Sequence, residues 1–352
     1  MKDLLQELKD LSAKINRPLK LMEVCGTHTV EIFRHGVRSI LPSNISLLSG
    51  PGCPVCVTSI HDVDAAISIA KRPETVLVTF GDMMRVPGGK QSLMEARSEG
   101  ADVRVMYSPM DALKLAQQAQ QKQVVFFATG FETTSPLIAA TVMTAAKQSV
   151  RNFSIYSSHK TVPPALKALL DSADVKVDGF VLPGHVSTII GLKPYQFLVT
   201  QYRKPSVVTG FEAKEIILGI VMILRQIAKR EAAVENAYPG VVHVDGNPKA
   251  VAILDEIFES ADAYWRGIGV ISGSGLKLRA KYRAFDAETR FQPETTGIAE
   301  PELCSCGDIL RGVKIPTECP LFGTGCTPDS PVGPCMVSTE GSCAAYYKYG
   351  QH

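Results

Sequence analysis

The chain has 352 residues, with 37 Lys and Arg against 35 Asp and Glu and a formal net charge of +2. That balance lacks the one-sided positive field of a nucleic-acid binder, so no nucleic-acid partner is expected. A hydrophobic share of 45% excludes a disordered or fibrous chain. The longest apolar run, Ile216 to Leu224, is about half of the roughly 20 residues a membrane span needs, so no membrane partner is expected either.

From the start, Met1 to Ile15 sets charges among apolar residues at helical spacing, which is an amphipathic surface helix and not a signal peptide; the expected location is cytoplasmic. Leu19–Val24, Ile45–Leu48, Thr75–Phe80 and Val103–Tyr107 read as buried strands, rich in Val, Ile and Leu and bounded by Gly or Pro. Val124–Thr129, Phe153–Ser157, Gly179–Leu182 and Ser206–Thr209 form a second set. Helical patterns fall between them at Ile60–Lys71, Pro109–Gln121, Pro136–Lys147 and Glu212–Lys229. Strand and helix in alternation imply parallel sheets covered on both faces. The expected fold class is α/β, with one Rossmann-like domain over residues 1–120 and a second over 121–235.

Beyond residue 235 the pattern weakens. Asn247–Ser260 still reads as helix, but from Glu288 the chain is dense in Gly, Pro, Thr and Cys. Such a stretch has too little apolar mass for a core of its own and needs a staple. Residues 236–352 are therefore expected to form a loop-rich, metal-stapled C-terminal domain.

The nine cysteines are an odd number, which rules out complete pairing, and in a reducing cytosol they point to metal or redox use. Cys25, Cys53 and Cys56 lie near the start and six more lie between Cys304 and Cys343. Gly50-Pro-Gly-Cys53-Pro-Val-Cys56 holds two sulfurs close before a helix, whose N-terminus favours a thiolate. The pair suits redox work or transient metal binding; the alternative is half of a zinc site completed by Cys25 and His28. Cys25-Gly-Thr-His28 sets a soft ligand beside a proton carrier, a combination suited to low-valent iron. Cys319, Cys326, Cys335 and Cys343 are spaced too widely for zinc knuckles and suit a cluster fed from several loops, with zinc as the alternative. Cys304 and Cys306 are left over, as a second redox pair or as buried thiols.

Thr129-Gly-Phe-Glu132 and Thr209-Gly-Phe-Glu212 echo each other at predicted strand exits, where open parallel sheets bind ligands. Asp82 in Gly81-Asp-Met-Met-Arg-Val-Pro-Gly88, Glu132, and His185 in Pro183-Gly-His185-Val-Ser187 lie at exits too. Each is either an ordinary capping or loop residue or a proton carrier. The chain has no Gly-x4-Gly-Lys-Ser/Thr loop, no Gly-x-Ser-x-Gly elbow and no Cys-x3-Cys-x2-Cys, which removes support for the common nucleotide, hydrolase and radical readings.

Taken in order, Cys25-Gly-Thr-His-Thr, Gly50-Pro-Gly-Cys-Pro-Val-Cys56, Gly81-Asp-Met-Met-Arg-Val-Pro-Gly88, Gly130-Phe-Glu-Thr-Thr134, Pro183-Gly-His-Val-Ser187 and the tail from Cys319-Pro-Leu-Phe-Gly-Thr-Gly-Cys326 through Cys335 to Cys343-Ala-Ala-Tyr-Tyr resemble the hydrogenase maturation factor HypD family over nearly the whole chain. The resemblance implies a scaffold for assembling the Fe(CN)2CO group of nickel–iron hydrogenases. It implies as partners a HypC-type small chaperone and a HypE-type cyanide donor. By the same resemblance Cys25 holds the iron with His28 in support, and Cys53 and Cys56 form a dithiol/disulfide pair. Cys319, Cys326, Cys335 and Cys343 hold a [4Fe-4S] cluster, which makes the C-terminal domain an iron–sulfur domain. Asp82, Glu132 and His185 line the crevice. The rival is a thiol–disulfide oxidoreductase resembling ferredoxin:thioredoxin reductase, which leaves Cys25 without a role. A zinc-stapled interaction protein is the third reading.

Overall fold

The computed structural model of the chain describes residues 1–350. In chain order its strands are β1 (Leu19–Glu23), β2 (Ile45–Ser49), β3 (Thr75–Thr79), β4 (Val103–Val105), β5 (Gln123–Gly130), β6 (Phe153–His159), β7 (Gly179–Pro183), β8 (Ser206–Thr209), β9 (Val234–Asn236), β10 (Phe258–Trp265) and β11 (Gly269–Leu278). They form a five-stranded sheet in the order β2-β1-β7-β8-β9, a four-stranded sheet in the order β4-β3-β5-β6, and the β10–β11 hairpin. Every pairing in the two larger sheets is parallel. Helices cover both faces of these sheets, so strands such as β3 and β7 are buried along their whole length.

The expected α/β class is present, but the boundary near residue 120 does not separate the two sheets. Leu21 of β1 pairs with Gly179 of β7, and Val76 of β3 with Val124 of β5. The first sheet therefore takes its strands from residues 19–49 and 179–236, and the second is inserted between them. Local apolar runs set where strands form; which strands pair is set by long-range packing that a linear reading does not contain.

Residues 236–352 differ in a similar way. The expected helix over Asn247–Ser260 ends at Ile257, and the chain turns straight into β10 at Phe258. Ile257, Phe258 and Tyr282 pack into the core of the four-stranded sheet, and Ala287 and Phe291 into the core on its other face. The later part, with Ile309, Leu310 and Met336, shares a core with Val24 of the first sheet and with Trp265. The C-terminal third thus borrows its apolar cover from both sheets. No helix among the described residues is long and apolar enough to cross a membrane.

Each sheet has one point where the winding direction reverses. In the five-stranded sheet it lies between β1 and β7, and in the four-stranded sheet between β3 and β5. Neighbouring strands there send their connections to opposite sides and leave a crevice at the carboxyl edge. Cys25 and His185 follow β1 and β7, and Asp82 and Glu132 follow β3 and β5.

Candidate functional site

Cys25 lies two residues beyond β1, in extended geometry, at the position just before the helix Gly26–Arg34. Its backbone N–H donates to Glu23 Oε2 at 3.3 Å, and its side chain is buried. Burial pushes the Cys25 thiol up to about 12, against the opposing pull of the His28 amide. Without a cation to hold the thiolate, the sulfur is therefore protonated at neutral pH.

The Gly50–Cys53 loop lies directly on this turn. Gly26 N–H donates to Gly52 O at 3.0 Å, and a Cβ on Gly52 would stand 2.3 Å from Cys25 N. Only glycine allows that approach. The contact brings the second sulfur motif to the first. Cys53 and Cys56 are joined by a disulfide and both are buried.

His28 is fully buried one turn beyond Cys25. Its Nε2 is 2.9 Å from both Gly210 O and Thr209 Oγ1. A carbonyl only accepts, so Nε2 carries the proton and Nδ1 is bare; Nδ1 has no partner among the described residues. Burial pushes the imidazole down to about 4, which keeps it neutral. Phe211 separates His28 from exposed His185, with ring centroids 4.7 Å from the first and 4.0 Å from the second. Burial also lowers His185, against the pull of Glu340.

Glu132 is buried. Its Oε1 accepts from Val162 N–H at 3.0 Å and its Oε2 has no partner among the described residues. Burial pushes its carboxyl up to about 7. Tyr195 is fully buried, and burial first and the charge of Glu132 next push its hydroxyl up. Asp82 is set apart: it is exposed at the rim, 3.5 Å from the Ser338 hydroxyl.

The sequence reading overlooked Glu23, Phe211, Tyr195 and Glu340. Glu23 is a fully buried carboxylic acid pushed up to about 7 by burial, with the hydroxyls of Thr29 and Ser49 pulling against that. An acid at the inward-facing end of the strand Leu-Lys-Leu-Met-Glu23 was the available signal. Phe211 lay in the repeated Thr-Gly-Phe-Glu, but an aromatic residue carries no functional signal until its neighbours are known.

All six C-terminal cysteines, Cys304 and Cys306 included, line one small apolar pocket with Leu321, Phe322 and Met336. Cys306 Sγ is 2.8 Å from Cys335 Sγ. The thiols pack against one another, and among the described residues no group of three or more His, Cys, Asp or Glu is spaced around a metal-sized point. In kind, the donors are right for an iron–sulfur group: soft thiols in an apolar wall, with no carboxylate or imidazole in the lining. The helix Pro54–Val57 of the disulfide packs on the helix Pro334–Val337, and Cys56 Sγ lies 4.0 Å from Pro334 O. Disulfide and thiol pocket share one core.

A family profile described as "Hydrogenase formation hypA family" (HypD) matches residues 1–350. The chain is 46% identical to the hydrogenase maturation factor HypD of Rhodobacter capsulatus, over 99% of this chain and 95% of that protein. It is 47% identical to that of Rhizobium leguminosarum bv. viciae, over 95% of this chain and 89% of the relative. Against that of Escherichia coli (strain K12) it is 45% identical, over 97% and 92% respectively. With sequence similarity running through both sheets and the cysteine-rich tail, the chain belongs to the HypD family of hydrogenase maturation factors.

Proposed function

We propose that this protein works in the cytoplasm in the maturation of nickel–iron hydrogenases, as the scaffold on which an iron ion receives cyanide and carbon monoxide to become the Fe(CN)2CO group. The observation that carries this reading is the seating of the Gly50–Cys53 loop on the Cys25 turn, with Gly52 against the Cys25 backbone. One thiol, one disulfide and a thiol-lined pocket are thereby arranged in sequence.

Cys25 is the iron anchor. A thiol held protonated by burial becomes a strong ligand only when a cation takes the proton's place, so the site is selective for a metal delivered into it. A lone protein thiolate leaves most coordination positions open for diatomic ligands and for a cysteine of a HypC-type chaperone. A HypE-type partner supplies cyanide. His28 orients the turn through Gly210 and Thr209, and Glu132, pushed up to about 7, holds or releases a proton near neutral pH.

Cys319, Cys326, Cys335 and Cys343 are the residues that would hold a [4Fe-4S] cluster, with Cys304 and Cys306 beside them. When bound, such a cluster supplies electrons one at a time from a low-potential donor. Cys53 and Cys56 take up two electrons and two protons on opening their disulfide, and return them on closing it.

The test is infrared spectroscopy of the protein purified anaerobically with a HypC-type partner from cells making all the maturation factors. Carbonyl and cyanide bands that vanish in Cys25→Ala are expected. No such bands, even with maturation blocked downstream, would move the assignment to a thiol–disulfide reductase. The contact of Cys56 with Pro334 favours that second reading, but it leaves Cys25 idle.

A further inference from the structure

The cysteine-rich tail meets the helix Gly26–Arg34, which begins beside Cys25, at both of its ends. At the first end the Thr27 hydroxyl donates to Glu340 Oε1. At the other, Phe33 and Tyr346 pack edge to face with ring centroids 4.6 Å apart. Arg38 closes that end: its Cζ is 4.7 Å from the centre of the Phe33 ring and 5.1 Å from that of Tyr346, and its Nη1 donates to Leu47 O at 3.0 Å. Nε and Nη2 of Arg38 are buried with no acceptor among the described residues, so the cation depends on the two rings. Between these ends the seam is hollow. A cavity of about 740 Å³ lies there, lined by Thr27 and Arg34 of the helix and by Glu340, Ala344 and Tyr347 of the tail. A seam packed throughout would hold by its own contacts. A hollow one is held by its ends and by whatever fixes the tail.

The tail is fixed at the thiol pocket. Cys335 and Cys343, which both line it, bracket residues 336–342. That segment folds back on Cys335: Ser338 N–H donates to Pro334 O at 3.2 Å and Gly341 N–H to Ser338 O at 2.9 Å. A Cβ on Gly341 would stand 2.1 Å from Cys335 O. Cys343 lies in the first turn of the helix Ser342–Tyr349, which carries Tyr346. Glu340 and Tyr346, the two tail residues that grip the anchor helix, thus stand three residues before and three residues after Cys343.

We propose that the tail is a cover for the iron anchor whose closure depends on the thiol pocket being filled. An iron–sulfur group bonded in that pocket fixes Cys335 and Cys343, and through them it holds Glu340 and Tyr346 on the anchor helix. An emptied pocket frees the segment, and Cys25, 8% exposed in the closed form, opens. Iron is then retained at Cys25 only by protein whose pocket is loaded. The inference rests on the cluster reading given above. Two sites that share one ordered segment are coupled, and the coupling runs both ways.

The experiment is iodoacetamide labelling of the native protein under anaerobic conditions, read at Cys25 by peptide mass spectrometry, before and after a chelator removes the iron. Removal should speed Cys25 labelling about tenfold. In iron-loaded protein, Tyr346→Ala should speed both Cys25 labelling and the loss of iron to the chelator. Tyr346→Phe keeps the ring and should behave as wild type. The Tyr346 variants carry the test if the stripped protein unfolds, because a cover unconnected to the pocket would leave iron loss unchanged. Equal Cys25 rates with and without iron in folded protein, or unchanged iron loss in Tyr346→Ala, would overturn this inference alone. Wild-type protein lacking iron and labile sulfide would overturn the cluster reading and this inference with it.

Discussion

The Thr27 hydroxyl donates to Glu340 Oε1 at 2.8 Å, across 313 positions of sequence. Thr27 lies two residues after Cys25, and Glu340 lies on the loop between Cys335 and Cys343. Gly26 is pressed on the same loop, since a Cβ there would stand 2.6 Å from Glu340 O. The cysteine-rich tail is thereby fastened to the N-terminus of the helix that carries the proposed iron anchor. A hydrogen bond to a carboxylate contributes roughly 1.5–3 kcal/mol. Thr27→Val should lower unfolding stability by about that amount and speed alkylation of Cys25 in the native protein. An unchanged Cys25 rate would mean that the tail does not guard the thiol.

Gly52→Ala tests the seating of the dithiol loop. The new methyl has to displace the backbone of Val24 and Cys25, which lie 2.4 and 2.3 Å from it. Overpacking of this kind costs typically 1–3 kcal/mol. The expected outcome is a folded protein, less stable by that margin, that keeps all nine cysteines yet matures hydrogenase poorly. Wild-type maturation in the alanine variant would show that the contact between the two motifs is dispensable.

Below neutral pH, buried acids and buried imidazoles should act on stability in opposite directions. Glu132 and Glu23 are pushed up to about 7 from the usual 4.5, so the folded protein keeps protons that the unfolded chain has released. Their contribution is fully present below about pH 4.5 and is lost as pH rises through 7. Glu132→Gln should therefore remove a downward slope from the thermal midpoint between about pH 4.5 and 7. His28 and His159 are pushed down to about 4 and about 3 from 6.5, so below pH 6.5 the unfolded chain binds protons that the fold refuses. Here stability is lost as pH falls. His159→Asn, whose amide can donate to the Ser157 hydroxyl oxygen as Nδ1–H does, should blunt the acid side only. Unchanged pH profiles in both variants would mean that other groups set the limits.

The single tryptophan, Trp265, reports on the thiol pocket. It is fully buried in the core that holds Cys306, Cys335 and Cys343, its Nε1 donates to Ser274 Oγ at 2.7 Å, and its ring stacks on Phe131. An iron–sulfur group in that pocket should quench its emission, and anaerobic chelation should restore it. Equal emission before and after iron removal would argue that no cluster lies in this core.

Composition, charge and the alternation of short apolar runs with helical stretches determined the α/β class. They also determined where most strands begin and end, because a strand buried on both faces must be written as a local run of Val, Ile and Leu. The motifs at strand exits were legible for the same reason: glycine and cysteine sit where the chain turns, and a turn is a local event. The family resemblance rested on those motifs and their order, and the comparisons bear it out.

Tertiary structure decided everything that depends on distant residues meeting. It paired β1 with β7 across the inserted sheet, split the C-terminal third among three cores, and drew Cys304 and Cys306 into the pocket of the other four cysteines. It also left Asp82 exposed while burying Glu132, though both follow strands with equal claims in sequence. Burial and pairing are properties of packing. A carboxylate or thiol takes its chemistry from neighbours that stand, like Thr27 and Glu340, hundreds of residues away.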